Sequence, residues 1–525
     1  MSGNIRSVTP YTQALAFKNK DNATSRWVVK DSTLSTVYCP NKQQGALPEN
    51  PLYNPDDHFA LMYRGGYWNY AGGIYIDGAD FGFTQMFGDY ELDREPRFGL
   101  FTGIQMRAIS GMGLQVSSGS NNNYTDIVVE GVKKNLPDTS WRGAYLMGVR
   151  LVGAISIPDS DVKTTQVRGI NVKGFNSGVS VQNGVKHSLV DGIVEDCHSL
   201  VDWNTNNQST EKDASKHVTL RLKAYGIDSF GLNQDGGSYN AFDLDIEKVG
   251  IALRVNDTGK VYTGCQHNNY RRSASDVTQY GADLVKVNLG KFDLNLKGNG
   301  SYVGEDYGLR VGANVSSCSI DSTVSGFKNS STITGVKNSV RVISESSGFS
   351  IGGVQNNIEY IDSKFDDSKS RTISSTLSDV NFKGVKLSLS GNNNNVRAGL
   401  SSDSINPALL SVGGNLNIFS ANIKNDLETE RFCTISGSLN NGKISAEGKA
   451  SLGVVVSGTR NKLEITCETT SAQAVLVSGN NNIISVNTNK RVVVSGSGNI
   501  LIGFCGELSD TGVGNNTTSI VTITP

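Results

Sequence analysis

Residues 475–504 read VLVSGNNNIISVNTNKRVVVSGSGNILIGF and contain one phrase twice. An apolar run ends in Ser-Gly, an asparagine follows within a few residues, and a new alternating run begins. Ser-Gly recurs at Ser436-Gly437, Ser457-Gly458, Ser478-Gly479 and Ser495-Gly496, in steps of 21, 21 and 17 residues. Asn441, Asn461, Asn482 and Asn499 follow these pairs. Alternating Val, Ile and Leu mark strands with one buried face. Gly and Asn supply the positive φ angles that sharp corners need. A coil of this length cannot bury its inner face alone, whereas stacked coils share a continuous core, so the phrase predicts an all-β solenoid. Helical repeats are disfavoured, because Gly/Asn/Ser clusters interrupt each segment before three helical turns form. Asparagines at equivalent corners can stack, each amide bonding the next.

The same grammar runs backwards with looser spacing through GINVKGFNSGVSVQ from Gly169, FDLDIEKVGIALRV from Phe242 and FDLNLKGNGSYVGEDYGLRV from Phe292. Between Val162 and Phe504 it amounts to roughly fifteen coils. Residues 1 to about 110 do not fit it. They divide into an attachment segment (1–50), whose TPYTQALAFKNK stretch (9–20) has helix-like character, and a cap (51–110) over the open end of the stack. Residues 111–505 form the solenoid and 506–525 its C-terminal end.

Composition narrows the function. Lys+Arg number 48 against Asp+Glu 49, so the basic excess of a nucleic-acid binder is missing. No run of 18 apolar residues exists to enter a membrane, and the N-terminus lacks a secretory h-region. The cysteines (Cys39, Cys197, Cys265, Cys318, Cys433, Cys467, Cys505) have neither metal-ligand spacing nor the even count of a disulfide framework. They read as buried thiols, and no metal or cofactor is expected.

Irregular coils, Asn/Gly corners, long central insertions and no cysteine framework make residues 110–525 resemble the β-helical tailspikes and capsule depolymerases of tailed bacteriophages. The resemblance implies a right-handed, single-stranded parallel β-helix. It further implies a homotrimer on the virion, attached through its N-terminus to a tail or adaptor protein and acting at the host surface. Its expected partner is capsular polysaccharide or lipopolysaccharide O-antigen. This chain departs from that pattern in having no evident large N-terminal head-binding domain and no separate C-terminal trimerisation domain.

Sugar rings pack on flat apolar faces with a polar edge, so aromatic residues locate a glycan site. The four tryptophans (Trp27, Trp68, Trp141, Trp203) all precede residue 204, and of the tyrosines only Tyr360 follows residue 310. The C-terminal third therefore reads as a spacer. In Phe242–Glu247, period two sends Phe242, Leu244 and Ile246 inward and puts Asp243, Asp245 and Glu247 on one outer face. Alternate strand residues lie about 6.7 Å apart, within the roughly 6.5–9.5 Å that an inverting glycosidase needs between its carboxyls. These three are the expected catalytic group; alternating charge is also how an exposed strand stays soluble. Arg221 and Lys223 share that face. Two loops, Gln266–Tyr280 and Gly298–Asp306, are expected to wall a groove with Tyr270, Arg271, Arg272, Tyr302 and Glu305, while Trp203 and Tyr262 supply further aromatic contacts. Glu195, Asp196 and Asp202 beside Trp203 form a second acidic candidate, and Asp228 and Asp235 read as turn residues.

The leading expectation is an endo-acting polysaccharide depolymerase, a hydrolase before a lyase. A lyase would need Arg/Lys neutralisation of a uronate and a base such as Tyr270. A non-enzymatic receptor-binding fibre is the alternative from another class.

Overall fold

A computed structural model describes residues 3–6, 15–18, 28–35, 59–79, 81–86, 96–109, 111–117, 119–131, 146–153, 162–182, 184–204, 215–256, 265–301, 306–328, 331–345, 348–363 and 371–523. Among them every regular element is a β-strand and none is a helix. The strands pair in parallel, each with strands one repeat earlier and later, an arrangement compatible with a β-solenoid. The chain divides into two compact units, Met1–Leu296 and Lys297–Pro525, described here in turn.

In the first unit one parallel ladder runs through Val28–Ser35, Tyr70–Asp77, Leu100–Ile109, Asn123–Gly131, Gln166–Lys173 and Leu189–Glu195. It continues into the first halves of Thr219–Asp235, Ala241–Asn256 and Asn269–Asn288. This is the first face. A second face runs through Leu15–Lys18, Phe59–Arg64, Phe81–Met86, Leu114–Val116, Met147–Leu151, Ser177–Gln182 and Ser199–Asn204, and ends in the second halves of the same three long strands. The repeat therefore reaches back into the residues expected to be attachment segment and cap. The helix-like stretch contains the strand Leu15–Lys18 instead, its remaining residues lying outside the described ones. Tyr63, Phe83, Phe101 and Tyr124 pack edge-to-face and stacked inside these early repeats, with Tyr124 hydrogen-bonded to Gln85.

In the second unit the register is held by buried asparagine amides. Asn394, Asn417, Asn440, Asn461, Asn482, Asn499 and Asn515 form a ladder in which each Nδ2 donates to the next Oδ1 at 3.0–3.2 Å. Each Oδ1 also accepts the backbone N–H of the preceding ladder residue, as from Asn440 N to Asn461 Oδ1 at 2.9 Å. From Asn417 onward the second amide proton goes to a glycine carbonyl, as from Asn461 to Gly437 at 2.9 Å, and that of Asn394 to the Ser375 carbonyl. The ladder residue is Asn440, not Asn441, which is exposed at a strand start. The motif is thus Gly-x-x-Asn. A Cβ on Gly437 would strike the Gly414 carbonyl oxygen, so only glycine lets the corners stack this closely. The residue before each asparagine is left-handed, as at Leu439 (φ 58) and Arg460 (φ 56). The first unit uses the same corner: Asn268 Oδ1 accepts Asn240 N–H at 2.8 Å and its Nδ2 donates to Gly237 O at 2.9 Å. The six described cysteines are buried free thiols, as expected.

The left-handed corner of the first unit carries a column of exposed rings. His187, His217, Tyr239 and His267 stack at centroid spacings of 4.7, 5.3 and 4.8 Å. Desolvation, then the neighbouring His187 and Lys216, hold the His217 imidazole below its ordinary pKa. The unfolded chain then binds this proton at higher pH than the folded one. Stability is full at neutral pH, falls as pH drops from about 6.5 through the lower folded value, and levels off beneath it. Two predictions follow from the corners. Replacing Asn461 by Ala strands buried backbone groups at about 1–3 kcal/mol each, so urea unfolding should shift by about 3 kcal/mol, whereas Asn441→Ala should stay within about 0.5 kcal/mol. Equal shifts would refute the ladder assignment. His217→Asn, which tolerates the left-handed backbone, should flatten the fall of melting temperature between pH 7 and 5; an unchanged slope would remove His217 from the titration.

Candidate functional site

On the first face, Asp243, Asp245 and Glu247 point outward and are exposed, as the alternation predicts. Register sets their neighbours. Asp243 lies between Arg221 and Arg271, Asp245 between Lys223 and Ser273, and Glu247 between Tyr225 and Ser275. Asp191 in turn pairs with Arg221. Acids and bases therefore alternate from strand to strand, and the row compensates its own charge.

The other expected site residues scatter. Tyr262, Tyr302 and Glu305 lie outside the described residues. Trp203 and Tyr270 are each 1% exposed and belong to the core, with Trp203 edge-on to Phe242 at 5.1 Å and Tyr270 stacked on Phe242 at 5.2 Å and on Phe292 at 4.4 Å. Tyr270 donates its hydroxyl inward to Gln234 Oε1 at 2.6 Å. The expected Gln266–Tyr280 loop is mostly the strand Asn269–Asn288. Arg272, expected beside a groove, occupies an inward position in register with Leu244 and is 3% exposed. Burial pushes its guanidinium down to about 9. It fits there because Gly231 has no side chain; a Cβ at that point would strike Arg272 Nη2. A charged residue at an inner position is what broke the apolar alternation and made the strand read as a loop.

The second face differs in kind. Its outward positions, in register from repeat to repeat, are Gln115, Arg150, Ser180, Asp202, Asn233, Arg254 and Asp283. A parallel row two residues along carries Gln182, Asp235 and Asn256. Inward partners such as Val201, Trp203, Leu232, Leu253 and Val255 are buried, which fixes the polar residues outward. These outward groups are nevertheless shielded: Gln115 and Asp283 are 3% exposed, Ser180 is fully buried, and Arg150, Asp202, Asn233, Asp235 and Arg254 are half-buried. Polar groups removed from water on an outer face are the informative departure from a soluble coat.

The polar groups hold one another in place. Arg150 donates from Nη2 to Gln182 Oε1 at 2.7 Å and from Nη1 to Gln115 Oε1 at 3.2 Å. Gln115 passes a hydrogen bond to Ser117 at 2.5 Å, and Arg254 Nε lies 3.8 Å from Asp283 Oδ2. Asp202 is in register with Asn233, two residues before Asp235. One strand spacing across and two residues along separate their Cα positions by about 8 Å. Two outward side chains on Cα positions so spaced can set their carboxyls within the roughly 6.5–9.5 Å at which one protonates a leaving oxygen while the other activates water. Asp202 belonged to the second acidic candidate and Asp235 was read as a turn residue; Gln115, Arg150, Gln182, Asn233, Arg254 and Asp283 were missed. The signal was the recurrence of a polar residue at the second and fourth positions of Val-Asp-Trp-Asn (201–204), Leu-Asn-Gln-Asp (232–235) and Leu-Arg-Val-Asn (253–256).

Since Trp203 is core, Trp203→Phe should cost about 1–3 kcal/mol of stability and leave carbohydrate affinity of the folded protein unchanged. Lost affinity at full stability would return the indole to a binding surface. No protein-family model matches the chain, and no curated protein does so either.

Proposed function

We propose that this protein binds and depolymerises a bacterial surface polysaccharide, capsule or O-antigen, by endo-acting hydrolysis. The observation that carries the reading is the shielded polar face in which Asp202 and Asp235 stand diagonally, their Cα positions about 8 Å apart. Asn233 and the amides of the neighbouring row are suited to sugar hydroxyls. Arg150 and Arg254 suit a substrate that carries acid groups. One of the two aspartates serves as general acid to the leaving glycosidic oxygen; the other, as general base, directs a water to the opposite face of the ring, with inversion at the anomeric carbon.

On this reading the solenoid is a right-handed, single-stranded parallel β-helix of the tailspike kind. It forms a homotrimer on a bacteriophage tail, anchored through its N-terminal residues to a tail or adaptor protein. The charged row Arg221–Asp243–Arg271 is then a solvated surface beside the site, not the catalytic group.

The test is digestion of capsular and O-antigen polysaccharides from a panel of strains, followed by mass analysis of the products. Asp202→Asn and Asp235→Asn should each lower cleavage by roughly 10²–10⁴-fold with melting behaviour retained, while Asp243→Asn and Asp245→Asn stay within a few-fold of the parent. Cleavage abolished by Asp243→Asn but not by Asp202→Asn would return the chemistry to the first face. Products absorbing in the near ultraviolet would identify a lyase, and a bound polysaccharide of undiminished length would identify an adhesin.

A further inference from the structure

The segment Gly298–Asp306, read from the sequence as a groove wall, opens on Gly298-Asn299-Gly300-Ser301. Three asparagines of this chain precede a glycine: Asn183, Asn299 and Asn441. In an Asn-Gly pair the glycine's backbone nitrogen, unshielded by a Cβ, can reach the asparagine's own side-chain carbonyl. Asn183 lies outside the described residues, and the fold treats the other two differently.

Asn441 opens the strand Asn441–Val456, which is paired on both sides: Asn441 with Ile418 and Lys462, Gly442 with Phe419 and Leu463. Gly442 is buried, and a Cβ on it would strike the Phe419 ring. Closing a five-membered ring onto Asn441 would need its extended backbone to rotate out of this ladder. Asn299, by contrast, follows the end of the strand Lys291–Gly298 and is exposed. Gly300 has φ 66, and among the described residues a Cβ there would meet only the Gly326 carbonyl oxygen, at 3.5 Å. Asn299 Oδ1 accepts the Ser301 backbone N–H at 2.9 Å and the Ser301 hydroxyl at 2.6 Å. Two donors on one amide oxygen stabilise negative charge as it develops there.

We infer that Asn299 is a site of self-catalysed deamidation, with Ser301 supplying the oxyanion donors. The Gly300 nitrogen attacks Asn299 Cγ, forms a bond to it and gives up its proton to solvent hydroxide. Negative charge passes onto Oδ1, between the two Ser301 donors. The Cγ–Nδ2 bond then breaks, and the departing nitrogen takes a proton from water and leaves as ammonia. Water opens the resulting succinimide at either carbonyl, giving aspartate or isoaspartate. The exposed loop thereby gains one negative charge as the protein ages. The modification needs no co-reactant but water, and it stands whether or not the first unit cleaves a polysaccharide.

The full-length protein would be incubated at mildly alkaline pH, folded and in urea, and followed by peptide mapping with mass spectrometry. In the folded protein the peptide containing residue 299 should gain one mass unit and yield isoaspartate, while Asn441 converts about tenfold more slowly or not at all. In urea the two asparagines should convert at similar rates. Gly300→Ala should slow conversion by about tenfold, and Ser301→Ala by roughly fivefold through loss of one donor. Asn299→Gln, whose longer side chain cannot close the five-membered ring, should keep its mass. Melting curves of the variants check folding. Residue 299 intact in the folded protein while the urea-unfolded chain converts, Asn441 converting as fast as Asn299 in the folded protein, or a rate unmoved by both Gly300→Ala and Ser301→Ala would overturn the inference.

Discussion

From Asn394 to Asn499, one buried asparagine amide per repeat sets the register of the second unit. Each amide spends both protons and both lone pairs on its neighbours, so a slip of one residue would strand buried polar groups at every rung. Register matters because side chains alternate with period two; a one-residue shift would turn every inward Val and Ile to solvent. The glycine three residues earlier and the left-handed residue just before the asparagine are the steric conditions for that corner. Where the first unit reuses it, at Asn240 and Asn268, the same constraint lines up the outward rows from which a site can be built.

Much of this was legible in the chain. The Ser-Gly spacing and the Val/Ile/Leu alternation lead directly to a parallel all-β repeat, and the outward direction of Asp243, Asp245 and Glu247 follows from period two alone. Other features were not legible, for physical reasons. Asn440 and Asn441 are adjacent and identical in chemistry, and only the three-residue spacing from glycine separates a rung from a strand start. Arg272 and Tyr270 sit inward because Gly231 and Gln234 accommodate them from another repeat, a partnership far apart in sequence. The early repeats were obscured because Tyr63, Phe83, Phe101 and Tyr124 fill the core where the later ones use Val and Ile.

The two faces of the first unit also show why charge alone misleads. Asp243 and Asp202 are both outward aspartates on strands, and a sequence pattern ranks the denser acidic row higher. On the proposed reading cross-strand register favours the other face: arginines flank Asp243 in an exposed row, whereas Asp202 stands in a shielded network of amides, arginines and a diagonal carboxylate. Exposed charge on a strand is ordinary, while polar groups withdrawn from water on an outer face call for a function.

The account rests on that second face as the place where a glycan lies. A crystal structure of the Asp202→Asn protein soaked with an oligosaccharide from its own polysaccharide tests it most directly. The account predicts a sugar chain in contact with Arg150, Asn233 and Arg254, with a glycosidic oxygen between residues 202 and 235. A chain lying instead along Arg221, Asp243 and Arg271 would contradict it.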